Sequence, residues 1–213
     1  MSTQVADHHG SRSSAAPRLL AGIIAAGLAA CSAVPAPTFH SLMPAAATAG
    51  PRISATGALA WEVLPVTVPA QADQPQWVVQ AVDGSLAVLE QQRWIAPLGA
   101  EIGAAVSERL TQLVGAPAAG SVAPAKQWRI QVEVQRFDAA PGRETRLEAR
   151  WSLRSAADSA PMLSCRGEFV QAVSAPGYLA LAKGHQQGVA QLGDAIGRAL
   201  KAISAGNPAT CEG

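Results

Sequence analysis

The sequence predicts a single α/β domain in which a mixed β-sheet is combined with two helices. Three runs between Trp128 and Val173 alternate apolar and polar residues, which is the period of half-buried strands. Two further strand-like runs flank Asp83-Gly84, the strongest short signal for a β-hairpin. Two longer stretches repeat apolar residues every three or four positions, as amphipathic helices do. One sheet with two helices on its apolar side satisfies all three observations.

The domain is predicted to begin near Leu59 with a strand over residues 60–68. Its β-branched and aromatic residues favour a strand, although Pro65 restricts it to a sheet edge or a bulge. The hairpin follows, with strands at 77–82 and 85–91 that pair across Asp83-Gly84.

The first helix is predicted to start at Pro97, because the first turn of a helix tolerates a residue without an N–H group. Gly115 and Pro117 end it. Its apolar positions recur every fourth residue: Leu98, Ile102, Val106, Leu110 and Val114.

Three strands joined by short turns then predict an antiparallel meander. Their inward positions include Trp128, Trp151 and Phe169. Their outward positions are polar or charged: Arg129, Glu133, Arg146, Glu148, Arg150, Arg166 and Glu168. Such a face is either a solvated sheet surface with cross-strand charge pairs or a surface that binds a partner.

The second helix is predicted over 178–204, with Gly206 and Pro208 beyond its end. Four glycines lie inside it, and each costs roughly 1 kcal/mol against alanine. The helix therefore needs tertiary packing, and its small residues allow a neighbour to approach closely. The resulting order of elements fits a three-layer arrangement similar to that of anticodon-binding domains or of the N-terminal domain of TolB.

Residues 1–30 are predicted to be a lipoprotein signal peptide. The apolar stretch over residues 19–30 is too short for a membrane-spanning helix, which takes about 20 apolar residues. Leu28-Ala29-Ala30-Cys31 is similar to the bacterial lipobox, so Cys31 is predicted to be the lipidated first residue of the mature chain. An ordinary signal-peptidase cleavage, with Cys31 incidental, is the alternative.

The remaining boundaries follow from composition. Residues 31–57 are predicted to form the lipidated cysteine and a flexible tether, since prolines interrupt any periodicity and only Phe39 to Leu42 is apolar. The folded domain is assigned to residues 58–206, and residues 207–213 form a C-terminal tail.

Charge and motifs exclude several functions. The 213 residues carry a net charge of +1, which is no electrostatic footprint for nucleic acid. The sequence contains no Gly-x-Ser-x-Gly, no Gly-x-Gly-x-x-Gly and no His or Cys pair with metal-ligand spacing. We therefore predict no catalytic residue, no metal site and no cofactor. His185 lies in the apolar stripe of the second helix, which favours a packed or interface histidine over a catalyst.

Two cysteines remain after lipidation, Cys165 and Cys211. An exported chain meets an oxidising compartment, so the two thiols can form a disulfide that links the tail to the third meander strand. The alternative, two unrelated thiols of which one is buried and one lies in a frayed tail, is equally consistent with the sequence.

The mature chain also resembles a known family along its whole length. Phe39-His40-Ser41-Leu42 is similar to the family's Tyr-Tyr-x-Leu, and residues 93–98 are similar to its Arg-Trp-Ala-Glu-Pro-Leu. The lipobox, residues 66–69 with 73–76, residues 136–138 and the strand around Trp151 also fit in order and spacing. The family is that of the auxiliary lipoproteins of ABC-type, MCE (mammalian cell entry) lipid-transport systems, which includes paraquat-inducible PqiC and YmbA-like proteins.

The resemblance implies a non-enzymatic lipoprotein on the periplasmic side of the outer membrane, and Ser32 after the lipidated cysteine points to that membrane. It implies a homo-oligomeric ring that docks an MCE-domain tunnel protein and its ABC transporter, which move phospholipid. Partner or oligomer contacts are expected at the motif residues Phe39, Leu42, Arg93, Trp94, Pro97 and Leu98. Most of the five tryptophans are predicted to lie in the core, and one exposed near Arg93 would suit an interface anchor.

A different class of function remains open. A stand-alone envelope lipoprotein with the same fold would bind a small hydrophobic ligand or peptidoglycan in the groove between its helices and its sheet.

Overall fold

A computed structural model of the protein describes residues 35–44, 59–117, 127–158 and 162–211. The residues from Pro37 onward form one unit, and the other unit is Met1–Ala36, of which only residues 35 and 36 are described. The elements are β1 (Thr38–His40), β2 (Ala60–Val63), β3 (Gln76–Gln80), β4 (Leu86–Trp94), α1 (Leu98–Val114), β5 (Gln127–Ala140), β6 (Glu144–Ser155), β7 (Leu163–Ala172) and α2 (Tyr178–Ser204).

The predicted single α/β domain is confirmed, and its mixed strand pairing is divided between two sheets. The four-stranded sheet has the order β2-β5-β6-β7, with β2 parallel to β5 and the other pairs antiparallel. The three-stranded sheet has the order β1-β4-β3, with β1 parallel to β4 and β3 antiparallel to it. The meander β5-β6-β7 and the Asp83-Gly84 hairpin are as predicted.

The strand β1 lies inside the segment that the sequence assigns to the tether. Thr38 is opposite Gln92 of β4, and Leu42, just after β1, is only 1% exposed. The folded unit therefore begins near Pro37 rather than at residue 58. The physical reason is that Phe39 to Leu42, the apolar part of this segment, finds a strand edge and a helix to pack on. Residues 45–57 of the predicted tether lie outside the described residues.

The two helices pack against each other, and α2 also packs on β6 and β7. The close approach depends on glycine at two points. A Cβ atom built at Gly184 of α2 would lie 2.7 Å from the hydroxyl oxygen of Thr145 in β6. A Cβ atom built at Gly99 of α1 would lie 2.5 Å from the backbone oxygen of Val66. These positions confirm that the small residues of α2 admit a close neighbour, and Gly99 does the same for α1.

All five tryptophans are buried, and they belong to one continuous core between the sheets and the helices. The core also contains the apolar stripes of α1 and α2 and the inward positions of the meander. Its tryptophans are Trp61, Trp77, Trp94, Trp128 and Trp151, each no more than 7% exposed.

Candidate functional site

Cys31, the predicted lipid-attachment residue, lies outside the described residues. Within the part of the chain that the structure describes, none of the helices is long and apolar enough to cross a membrane.

The exposed residues of the family motifs surround one shallow groove, which we call the motif groove. Phe39 of β1 has Arg93 of β4 as its partner in the strand register. Ile95 and Pro97 lie between β4 and α1, and residues 73–75 complete the lining. The groove measures about 410 Å³, and its apolar residues face solvent, with Phe39 54% and Ile95 59% exposed. It is therefore an accessible, mainly apolar surface beside one arginine.

Three of the six motif residues are buried beneath this surface. Leu42 and Leu98 are each 1% exposed, and Trp94 is 5% exposed. The ring of Trp94 stacks on that of Trp77, with centroids 4.5 Å apart. The expectation that all six contact a partner is thus corrected, since these three support the groove from the core. The other three, Phe39, Arg93 and Pro97, reach the surface of the groove.

Two polar side chains that sequence reasoning missed hold the segment after β1 in place. The carboxylate of Glu101, itself buried, accepts 2.7 Å hydrogen bonds from Ser41 Oγ and from the backbone N–H of Leu42. Gln186 of α2 donates from Nε2 to the backbone oxygen of Ser41 at 2.9 Å. A signal for Glu101 was present, because it follows Leu98 by three residues and so lies on the apolar side of α1, where a carboxylate needs a partner.

The side chain of His40, in the first motif, is fixed by two contacts. His40 Nε2 lies 2.7 Å from Gln92 Oε1, and its ring centroid lies 4.5 Å from that of Trp77. Since Gln92 is also opposite Thr38 in the register, side-chain and backbone contacts both fix β1 on β4. The outer wall of the motif groove is thereby built on a fixed strand.

His185 is a packed histidine. Its ring stacks on Phe137 with centroids 4.0 Å apart and planes 10° apart, and the residue is 2% exposed. Burial lowers the pKa of His185 to about 3, because the charged form is poorly solvated there. Nδ1 has no hydrogen-bond partner among the described residues. His185 is thus a neutral imidazole enclosed by the rings of Trp77, Trp94 and Phe137.

The outward face of the meander is a network of cross-strand charge pairs. Glu148 of β6 lies 3.1 Å from Arg136 of β5 and 3.2 Å from Arg166 of β7. Arg146 also pairs with Glu168. Asp138 beside Arg136 raises the pKa of that guanidinium, so the cation persists at all ordinary pH values. Of the two interpretations of this face, its geometry favours a solvated, self-paired surface.

Cys165 of β7 and Cys211 near the C-terminus form a disulfide, with Cα atoms 5.4 Å apart. The bond joins the end of the chain to the four-stranded sheet, on the side where α2 ends.

The described residues contain no group of three or more His, Cys, Asp or Glu side chains that could hold a metal ion.

Comparisons with known proteins identify a family and similar folds. A family model described as "ABC-type transport auxiliary lipoprotein component" matches residues 40–197. The fold is similar to that of a Xanthomonas campestris protein of the family DUF330, with a TM-score of 0.58 and 19% identity over 82% of this chain and 98% of that one. A second crystal structure, of an uncharacterized protein, matches with a TM-score of 0.61 and 19% identity over 77% and 98%.

A PelC dodecamer from Paraburkholderia phytofirmans matches at a TM-score of 0.41 with 13% identity, over 68% of this chain and 90% of that one. No curated protein matches the sequence.

Proposed function

Because this chain belongs to the family of ABC-type transport auxiliary lipoprotein components, we propose that it is the accessory lipoprotein of an MCE-type system that moves phospholipid between membranes. The family is one of auxiliary transport components, and it is not a known enzyme family. The observation that carries the proposal is the match over residues 40–197, which covers nearly all of the described domain. The proposed role is structural, with no catalytic step.

The proposal includes a lipid anchor on Cys31 that holds the domain on the periplasmic side of the outer membrane and so supports envelope integrity. A single acyl chain binds a membrane only marginally, whereas the multiply acylated cysteine of bacterial lipoproteins anchors stably. In cells labelled with radioactive palmitate, the wild-type protein should incorporate label and fractionate with the outer membrane. Cys31→Ala should do neither, and a Cys31→Ala protein that still fractionates with the membrane would refute the anchor.

The motif groove is the proposed docking site for the MCE-domain tunnel protein. Phenylalanine and arginine are both enriched in protein interfaces relative to the rest of the surface, and here the two are exposed side by side. Arg93 has a side-chain exposure of 35%; it pairs with the Glu90 carboxylate at 4.0 Å and donates from Nε to the Glu90 backbone oxygen at 3.1 Å. A guanidinium has five N–H donors, so these contacts leave others for a partner's acidic group. Ring assembly around the tunnel, with neighbouring copies in contact, is part of the same proposal.

Co-purification tests the docking site. The mature protein is co-expressed with the MCE-domain protein proposed as its partner, and the complex is recovered through a tag on that protein. Phe39→Ser with Arg93→Glu should reduce recovery at least tenfold. The matched control, Val170→Ser with Arg150→Glu, changes an exposed apolar and an exposed basic residue on the other sheet and should leave recovery unchanged. Equal recovery of both variants would place the contact elsewhere.

The alternative, a stand-alone lipoprotein with a small hydrophobic ligand, predicts a cavity between helix and sheet. The cavity lined by Trp77, Phe137 and His185 measures about 20 Å³, which holds one water molecule. The groove between Leu163 of β7 and Ile203 of α2 measures about 320 Å³, at the lower end of the 300–1,000 Å³ typical of ligand sites, so a ligand of the alternative function would bind there. Native mass spectrometry separates the two functions. Lipid bound to a monomer supports the alternative, and an empty oligomer supports the transport role.

A further inference from the structure

The outward face of the β3–β4 hairpin is apolar where a solvated sheet is normally polar. In the strand register Val78 is opposite Val88 and Gln80 is opposite Leu86, so these residues share one face. Three aliphatic side chains at and near the turn are largely exposed, namely Val82 (90%), Leu86 (62%) and Val88 (49%). We call these three residues the hairpin patch. Their exposure is not explained by the core, because the opposite face of the hairpin supplies Trp77 and Val79 to it.

The same molecule shows the usual arrangement on its other sheet. The outward positions of β5, β6 and β7 carry the paired charges around Glu148 and Arg146. Antiparallel sheets with one solvated face generally alternate apolar inward and polar outward residues. A contiguous apolar patch on a soluble domain marks a site of contact with another apolar surface. The hairpin patch is therefore a candidate for such a contact.

A lipid surface fits the patch better than a second copy of the chain does. Three aliphatic side chains at a turn expose far less area than the roughly 800 Å² per partner of a stable protein interface. The patch also contains no aromatic or arginine anchor of the kind that protein interfaces favour. Asp83, the one charge in the turn, directly follows Val82 and accepts hydrogen bonds from the N–H and Oγ of Ser85, which lower its pKa; its carboxylate therefore stays at the level of the lipid headgroups when Val82 contacts the leaflet.

The direction of β1 relates the N-terminal side of the domain to the hairpin patch. Because β1 runs parallel to β4, the N-terminal end of β1 is the end that faces the hairpin. Thr38 is opposite Gln92, and Leu86 is six residues before Gln92, about 20 Å along the strand. Cys31 is seven residues before Thr38, which an extended chain spans in up to about 23 Å.

We propose that the hairpin patch enters the lipid leaflet beside the lipidated Cys31, so that the domain touches the membrane at two points. This inference rests on the proposed lipidation of Cys31. Two contacts restrict the orientation of the domain, which a single flexible anchor would leave free. The motif groove lies at the opposite end of β4, around Arg93, so this orientation directs the groove away from the leaflet and toward a partner.

Quenching of an introduced tryptophan tests the contact. The lipidated mature protein is reconstituted into phosphatidylethanolamine and phosphatidylglycerol vesicles with brominated acyl chains. The five native tryptophans are buried and supply a constant background. Val82→Trp should lose at least half of its added fluorescence. Val170→Trp, at a residue that is 41% exposed on the four-stranded sheet, is the matched control and should lose less than a tenth.

Flotation and quenching together separate failure of the lipid anchor from failure of the patch contact. Vesicle flotation is measured first, and failure of every variant to float would refute the anchor rather than the patch. Flotation with an unquenched Val82→Trp, or with equal quenching at both positions, would overturn the inference. A concentration-dependent blue shift of Val82→Trp without quenching would assign the patch to a second copy and overturn it as well.

Hydrogen exchange supplies a readout that needs no substitution in the patch. The lipidated protein on vesicles should exchange the amides of residues 82–88 at least fivefold more slowly than Cys31→Ala in buffer, with β7 unchanged. No difference at residues 82–88 would also overturn the inference.

Discussion

The carboxylate of Glu101 accepts a 2.7 Å hydrogen bond from the backbone N–H of Leu42, which lies 59 residues earlier in the chain. This contact fastens the segment after β1 to the first turn of α1. The groove that Phe39 and Pro97 line is built on the same two elements, so its shape depends on a polar contact beneath it.

We predict that Glu101→Ala lowers the free energy of unfolding by about 1.5–3 kcal/mol, because it removes a charged acceptor from two donors and leaves the Leu42 N–H buried without a partner. Urea denaturation measures the change. The control Glu133→Ala, an exposed carboxylate on β5, should stay within about 0.5 kcal/mol of the wild type. An equal decrease in the free energy of unfolding in both variants would contradict a stabilising role for the Glu101 hydrogen bonds.

Gly99→Ala should lower the free energy of unfolding by about 1–3 kcal/mol, because the new methyl group meets the Val66 backbone oxygen and forces the helix or the segment after β2 to move. Gly103→Ala, one turn later, is the control. There the nearest atom is a Val66 methyl group at 3.5 Å, an ordinary contact, so alanine should stabilise the helix by up to about 1 kcal/mol. Thermal denaturation of the two variants should give shifts of opposite sign.

Stability should decrease in acid through His185. Its pKa is about 3 in the folded protein against 6.5 as the ordinary value, so between these limits the unfolded chain binds more protons than the folded one. The contribution is complete above pH 6.5 and is lost as the pH falls toward 3, with a slope of at most about 1.4 kcal/mol per pH unit. Urea denaturation between pH 5 and 7 should show this slope, and His185→Leu should reduce it. An unchanged slope in His185→Leu would contradict the assignment.

The disulfide should stabilise the folded domain by roughly 4 kcal/mol, since it closes a loop with a sequence separation of 46 residues. Cys211→Ser should show the loss in denaturation experiments without reductant. Addition of dithiothreitol should destabilise the wild type to the same level and leave Cys211→Ser unchanged. Two alkylatable thiols in the unreduced, denatured wild type would contradict the bond.

The sequence predicted most elements of the fold because helices, alternating strands and tight turns are each recognisable from the residues that form them. The fourfold spacing that starts at Leu98 is satisfied only by a helix, and Asp83-Gly84 is satisfied by a tight turn between strands. The second helix was predicted with the observed ends, Tyr178 and Ser204. These features depend on residues close together in the sequence, so a single sequence is enough to predict them.

The site was less predictable because its determinants are distant in sequence. Three residues are too few for β1 to show a period, and the strand exists because β4 offers it an edge. Nothing local distinguishes Trp94, which is buried under the groove, from Phe39, which is exposed on it. Glu101 and Gln186 owe their roles to Ser41 and Leu42, which only the tertiary fold brings to them.

The position of β1 has a mechanical consequence. Tension carried by the residues before Thr38 enters the domain along β1, where the backbone bonds to β4 oppose sliding of one strand past the other. Beyond β1 the same load reaches Glu101 of α1 through Ser41 and Leu42. Phe39 lies on this path, so a pull on the N-terminus strains the surface around Phe39 before it reaches the rest of the domain.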